Sequence, residues 1–171
     1  LEISGVINMR EGLVELLATT LNGKTHESVL VMDVSPVLLY TALGLIGLNP
    51  QNGQTSAQSA NDTVFAYVEW TEKEQPRRER AENLVWDRQH NQTMSLSGWK
   101  FTGSRFYKQA DGKMLFGAQM SGALIATYYD PDAILNNPLP EATDDTVYFA
   151  NTNLLPPKGT AVKIILAAQA F

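Results

Sequence analysis

KTHESVLVMDVSPVLLYTALGLIGLNP, residues 24–50, passes from a polar approach through an apolar strand into an apolar helix. Val29 to Met32 is a continuous apolar run, the pattern of a strand covered on both faces. Ser35 and Pro36 then read as an N-cap and first helical position, since a serine hydroxyl accepts a free backbone N–H and proline has none to leave unpaired. Val34 and Leu39 are spaced as a hydrophobic staple across that cap. From Val37 to Leu48 only Thr41 and the Tyr40 hydroxyl interrupt the apolar surface, so the helix has no wet face. The run is shorter than the roughly 20 residues that cross a bilayer core. The sequence therefore predicts no membrane span, and a buried core helix over about residues 36–47 that stops at Gly47 and Pro50.

Around that helix, 171 residues with 44% hydrophobic content suit one domain, 1–171, able to bury a core without staples. There is no cysteine, which removes thiolate catalysis and thiolate metal sites without setting the compartment. A net charge of −5 disfavours nucleic acid, whose affinity comes from clustered Lys and Arg. Between Lys73 and Lys108 eight Lys and Arg face four Asp and Glu, a local excess of 8 − 4 = 4. Because acids are interleaved there, the segment reads as an ion-paired surface. The chain starts at Leu1, compatible with a removed N-terminal segment.

In chain order, Leu1 to Ile7 alternates apolar and polar residues, and Leu13 to Thr19 follows the turn Arg10-Glu11-Gly12, so the two are expected to pair as a hairpin. Thr25 to Val34 is expected to be a third strand. Residues 49–62 are polar and read as a surface loop. Thr63 to Thr71 alternates and carries aromatics on both sides; Arg77 to Ala81 returns as a charged edge strand. Leu96 to Phe101, Phe106-Tyr107, Met114 to Ala118, Ala123 to Tyr129, Thr146 to Ala150 and Ala161 to Ala168 read as further strands. Asp130-Pro131 repeats the cap-and-proline signal, predicting a second short helix near 131–135. The fold class expected is α+β: a mainly antiparallel sheet packed around one buried helix.

Several separated motifs occur in one order: Lys24-Thr25-His26-Glu27-Ser28-Val29, Leu45-Ile46-Gly47, Arg80-Ala81-Glu82-Asn83, Val85-Trp86-Asp87, Trp99-Lys100-Phe101-Thr102-Gly103-Ser104-Arg105-Phe106, and Asn151-Thr152 with Pro156-Pro157-Lys158-Gly159-Thr160. In these the chain resembles the YdjY-like family, a bacterial group often found in exported proteins. The resemblance implies an extracytoplasmic place, periplasmic, secreted or surface-anchored through a removed N-terminal segment, and carries no established activity. An iron–sulfur cluster needs thiolates that this chain lacks.

His26, Glu27 and Ser28 are the candidate polar site. On a strand His26 and Ser28 share one face and Glu27 the other, so His26 and Ser28 are the one adjacent pair resembling a base and a nucleophile. No G-x-S-x-G elbow accompanies them. Two histidines, His26 and His90, on dissimilar segments do not make a zinc or copper site, so no metal and no cofactor are expected. Trp70, Trp86 and Trp99 are the candidate aromatics of a ligand groove, set against the commoner reading of strand aromatics as core. With no catalytic set, the chain reads as a non-enzymatic extracytoplasmic module binding an unknown protein or envelope component. The alternative is a hydrolase or metal-dependent enzyme using His26, Glu27 and Ser28.

Overall fold

A computed structural model describes residues 1–50 and 62–171. The polar loop expected over 49–62 therefore falls, except at its ends, outside the described residues. The first half of the chain contains β1 (Glu2–Ile7), β2 (Leu16–Thr19), β3 (Ser28–Met32), α1 (Pro36–Leu45), β4 (Thr63–Glu72) and β5 (Gln75–Arg80). Then come β6 (Val85–Asp87), β7 (Gln92–Thr93), β8 (Trp99–Phe101), β9 (Phe106–Lys108), β10 (Met114–Phe116) and α2 (Gly117–Ser121). The last elements are β11 (Ala123–Ala126), β12 (Leu135–Asn136), β13 (Tyr148–Ala150) and β14 (Ala161–Ala167).

Among the described residues eight strands close on themselves in the order β14, β1, β3, β2, β11, β12, β8, β4 and back to β14. The β2–β3 and β11–β12 seams are parallel and the rest antiparallel. The ring is shut by β4 against β14, in register from Lys163 opposite Glu69 to Ala167 opposite Phe65. Residues opposite each other share a face, so the register reads out the interior. Ile3, Ile164 and Val68 stand side by side, as do Val64 with Trp99 and Phe101 with Leu135. All but Ile3 belong to one core cluster, and Ile3 packs against it.

The expected α+β sheet around a buried helix is thus overturned: the fold is a closed barrel with two short helices. An eight-stranded barrel is just wide enough for its own side chains to fill, and this one has no room for a helix. Helix α1 does occupy the predicted residues. It buries Pro36, Leu39 and Leu43 and leaves Val37, Leu38, Leu45 and Ile46 exposed. The Ser35 hydroxyl makes no capping bond.

Other expectations are corrected locally. The first two strands are not a hairpin: β1 and β2 each pair with β3, which lies between them. The apolar run of β3 asks for partners on both edges, and the barrel supplies them. No helix forms at 131–135. The Asp130 carboxylate accepts the Asp132 N–H at 2.8 Å and the Asp130 carbonyl the Ala133 N–H at 3.1 Å, making one turn, after which Leu135 joins the barrel as β12. The second helix is α2, between β10 and β11, where two directly joined strands were expected. It ends at Gly122, whose φ of 74° gives the left-handed C-cap. Ser104 stands across its start, accepting the Ala118 N–H at 2.9 Å.

Two smaller sheets flank the barrel, a three-stranded one in the order β13, β6, β7 and the two-stranded ribbon β9–β10. Strand β5 pairs with β4 alone, the charged edge its sequence predicts. Its arginines are ion-paired: Arg77 with Glu72 and Glu79, Arg78 with Glu69, Arg80 with the fully buried Glu82.

Candidate functional site

The segment carrying His26, Glu27 and Ser28 is a 3-10 turn at Thr25–Glu27 running into β3, so only Ser28 lies on the strand. Ser28 is fully buried and its hydroxyl donates to the Lys24 carbonyl at 2.6 Å. The Asn8 amide donates to the Ser28 carbonyl at 2.8 Å and bonds the Thr25 carbonyl, pinning the turn to β1. The His26 side chain is 79% exposed, with Nε2 3.7 Å from Glu27. Glu27 lies 3.0 Å from the Lys24 ammonium, which also reaches Glu15 at 3.4 Å. The hydrogen bond to Glu27, ahead of the nearby carboxylate charges, raises the Lys24 pKa against partial desolvation. The three candidates do not form one site: the Ser28 hydroxyl is committed inward, the His26 imidazole lies out in water beside Glu27, and the Glu27 carboxylate pairs with Lys24.

Trp70 and Trp99 belong to the core cluster, and Trp86 is half-buried on β6, opposite Phe149 and Thr93. The Arg77 guanidinium sits 5.5 Å over the Trp70 ring.

The structure does pair His90 with Asp87, which the sequence reading left apart. The Asp87 carboxylate, almost fully buried at the end of β6, accepts the His90 backbone N–H at 3.0 Å and lies 2.8 Å from Nδ1, while Glu141 is 3.9 Å away. The hydrogen bond to Asp87, then its charge, raises the His90 pKa against desolvation, with Glu141 adding to the rise. The Asp-x-x-His spacing on a turn was the available signal. Among the described residues no serine or threonine hydroxyl bonds this ring, and no group of three or more His, Asp or Glu could hold a metal ion.

Among the described residues, helix α1 leaves an apolar side uncovered. Leu45 is 82% exposed, Leu38 66%, and Val37 and Ile46 are open beside them. Thr41 on the same face donates its hydroxyl back to the Val37 carbonyl at 2.8 Å, hiding its polarity. Tyr40 joins the helix to the ribbon, with its ring 5.4 Å from Phe116 and 6.3 Å from Phe106. Ser35 and Pro36 share a cleft of about 200 Å³ with Gln119 and Met120 of α2, and Met120 is 62% exposed. Helix α1, the root of the ribbon and α2 thus form one face of the molecule.

The YdjY domain family profile matches residues 2–167, nearly the whole chain. The chain belongs to the YdjY domain family. No curated protein and no solved structure matches it. The YdjY domain match runs through both the barrel and the α1 face, so that face is part of the matched region and not an appendage to it. Among the described residues no helix of this YdjY domain is long and apolar enough to cross a membrane.

Proposed function

We propose that this chain is a non-catalytic, extracytoplasmic binding module whose docking surface is the face made by α1, the root of the β9–β10 ribbon and α2. The observation that carries the reading is the uncovered apolar side of α1. A helix apolar all round is ordinarily buried all round, and apolar area left in water forgoes about 25 cal/mol per Å². Monomers rarely expose a large contiguous apolar patch unless something binds there. The committed hydroxyl of Ser28 and the outward ring of His26 support binding over hydrolysis, since neither activates the other. Resemblance to a group often found in exported proteins supports the extracytoplasmic place, with a protein or envelope component as partner.

The test has two arms. A panel of ester, phosphoester, glycoside and peptide substrates is expected to show no turnover; activity that vanishes in Ser28→Ala overturns the binding-module reading. Fractionation of the full chain is expected to place it outside the cytoplasm with the envelope fraction, and Leu38→Asp/Leu45→Asp is expected to release it. Retention unchanged by the double substitution removes the α1 face as the contact that holds the chain to the envelope.

A further inference from the structure

We infer that the partner on the α1 face is a second copy of this chain, related by a two-fold axis that passes near Thr41. The inference rests on the reading that this face docks something and goes on to name the occupant.

Area comes first. Taking ~200 Å² for a fully open large apolar residue, Val37, Leu38, Leu45, Ile46, Phe106 and Met120 together present on the order of 700 Å² at their exposed fractions. A standard interface takes roughly 800 Å² from each partner, so this apolar centre with a polar rim is large enough for a dimer.

Charge comes second. A two-fold contact brings a charge lying on the axis up against its own copy, so a face that is neutral around its axis avoids that repulsion. From Asp33 to Asp62 the sequence has no charged residue between them, and the exposed helix face is Val37, Leu38, Thr41, Gly44 and Leu45. With a net charge of −5, two copies repel except where such a face meets itself. The same neutrality disfavours an anionic bilayer, because cations are needed to hold one. None lies on the exposed side of α1; the cations beside the face are on the ribbon, Arg105 just before Phe106 at its root and Lys108 farther out.

Shape comes third. A Cβ added at Gly44 meets no atom within 4 Å, so the outer face is open there and the missing side chain leaves a gap beside Leu45, with Leu38 further along the helix. An antiparallel copy crossing at Thr41 places its Leu38 toward that gap and receives the reciprocal contact, knob into hole on both sides of the axis.

Light scattering and sedimentation velocity on the full chain test this. The expected mass is about twice 18.8 kDa, and the unfolding temperature rises with protein concentration. Leu38→Asp/Leu45→Asp is expected to give a monomer with an unchanged circular dichroism spectrum and a concentration-independent unfolding temperature. Should the aspartates disturb the helix, Leu38→Ser/Leu45→Ser serves the same purpose. A wild-type monomer at all concentrations, or a dimer that persists in a folded double variant, overturns the inference. A wild-type monomer that sediments with vesicles of phosphatidylcholine and phosphatidylglycerol, and stops doing so in the variant, overturns the second copy while leaving the docking face in place. A monomer that binds neither itself nor vesicles overturns the second copy, and the envelope-fraction arm above then decides the docking face on its own.

Discussion

Gly5 stands where the barrel wall leaves no room for a side chain. A Cβ built on it lies 2.6 Å from the Val31 carbonyl oxygen and 2.6 Å from Ile164 Cδ1, so one neighbour is backbone and cannot swing aside. Gly5→Ala is expected to destabilise the chain by about 1–3 kcal/mol as an overpacked core site, read as a lower urea midpoint with an unchanged slope. His90 makes a different prediction. Its folded pKa is raised by Asp87 first and Glu141 last, so the folded protein holds the proton more tightly than the unfolded chain. The stability this contributes is fully present below the ordinary value of about 6.5 and is lost as pH rises through the raised folded value. Wild type is expected to exceed His90→Gln in urea midpoint at mildly acidic pH, with the gap closing at alkaline pH. A gap independent of pH would assign the loss to packing instead. In the sequence His90 looked isolated, because the turn that brings its ring to the Asp87 carboxylate has no hydrophobic period to announce it.

At the scale of the element, α1 divides into two faces of identical chemistry and opposite energetics. Leu39 and Leu43 are buried, so truncating either to alanine is expected to cost about 2–5 kcal/mol through transfer and cavity terms. Leu38 and Leu45 lose little on truncation in the isolated chain, within about 0.5 kcal/mol. The comparison belongs at a protein concentration low enough to keep the chain monomeric; equal losses on both faces would mean that the outer face is covered within the chain. The same division explains what the sequence could say about this helix. Ser35-Pro36 and Gly47 bounded it correctly, since caps and stops are local. Its burial was misread, because an apolar residue buried by the chain and one left exposed have the same side chain. The strands around it were legible as strands where they alternate, as in β4 and β14. Their partners were not, because register across a closed ring is set by residues far apart in sequence. Asp130-Pro131 shows the limit of a local signal: the turn forms, and the Leu135-Asn136 pair that follows goes to the barrel because pairing β8 and β11 satisfies more backbone than another helical turn would.

At the scale of the molecule, closure makes the C-terminal strand indispensable. β14 pairs with β1 on one edge and β4 on the other, and its Val162, Ile164 and Leu166 point into the core. Without it the barrel has two open edges, a row of unpaired N–H and C=O groups on each, and an exposed interior. Ending the chain at Gly159 is expected to abolish cooperative unfolding in urea and to leave a species that proteases cut throughout. A fragment retaining a cooperative transition would show that the other seven strands close without it. By contrast β5, which lies outside the ring and makes its ion pairs at the surface, is expected to tolerate Arg77→Ala and Arg78→Ala at under about 1 kcal/mol each. Those two results together separate a barrel held by its last strand from a sheet that is merely long. In a closed ring, removing one strand opens two seams at once, whereas an open sheet loses only the pairing at its edge.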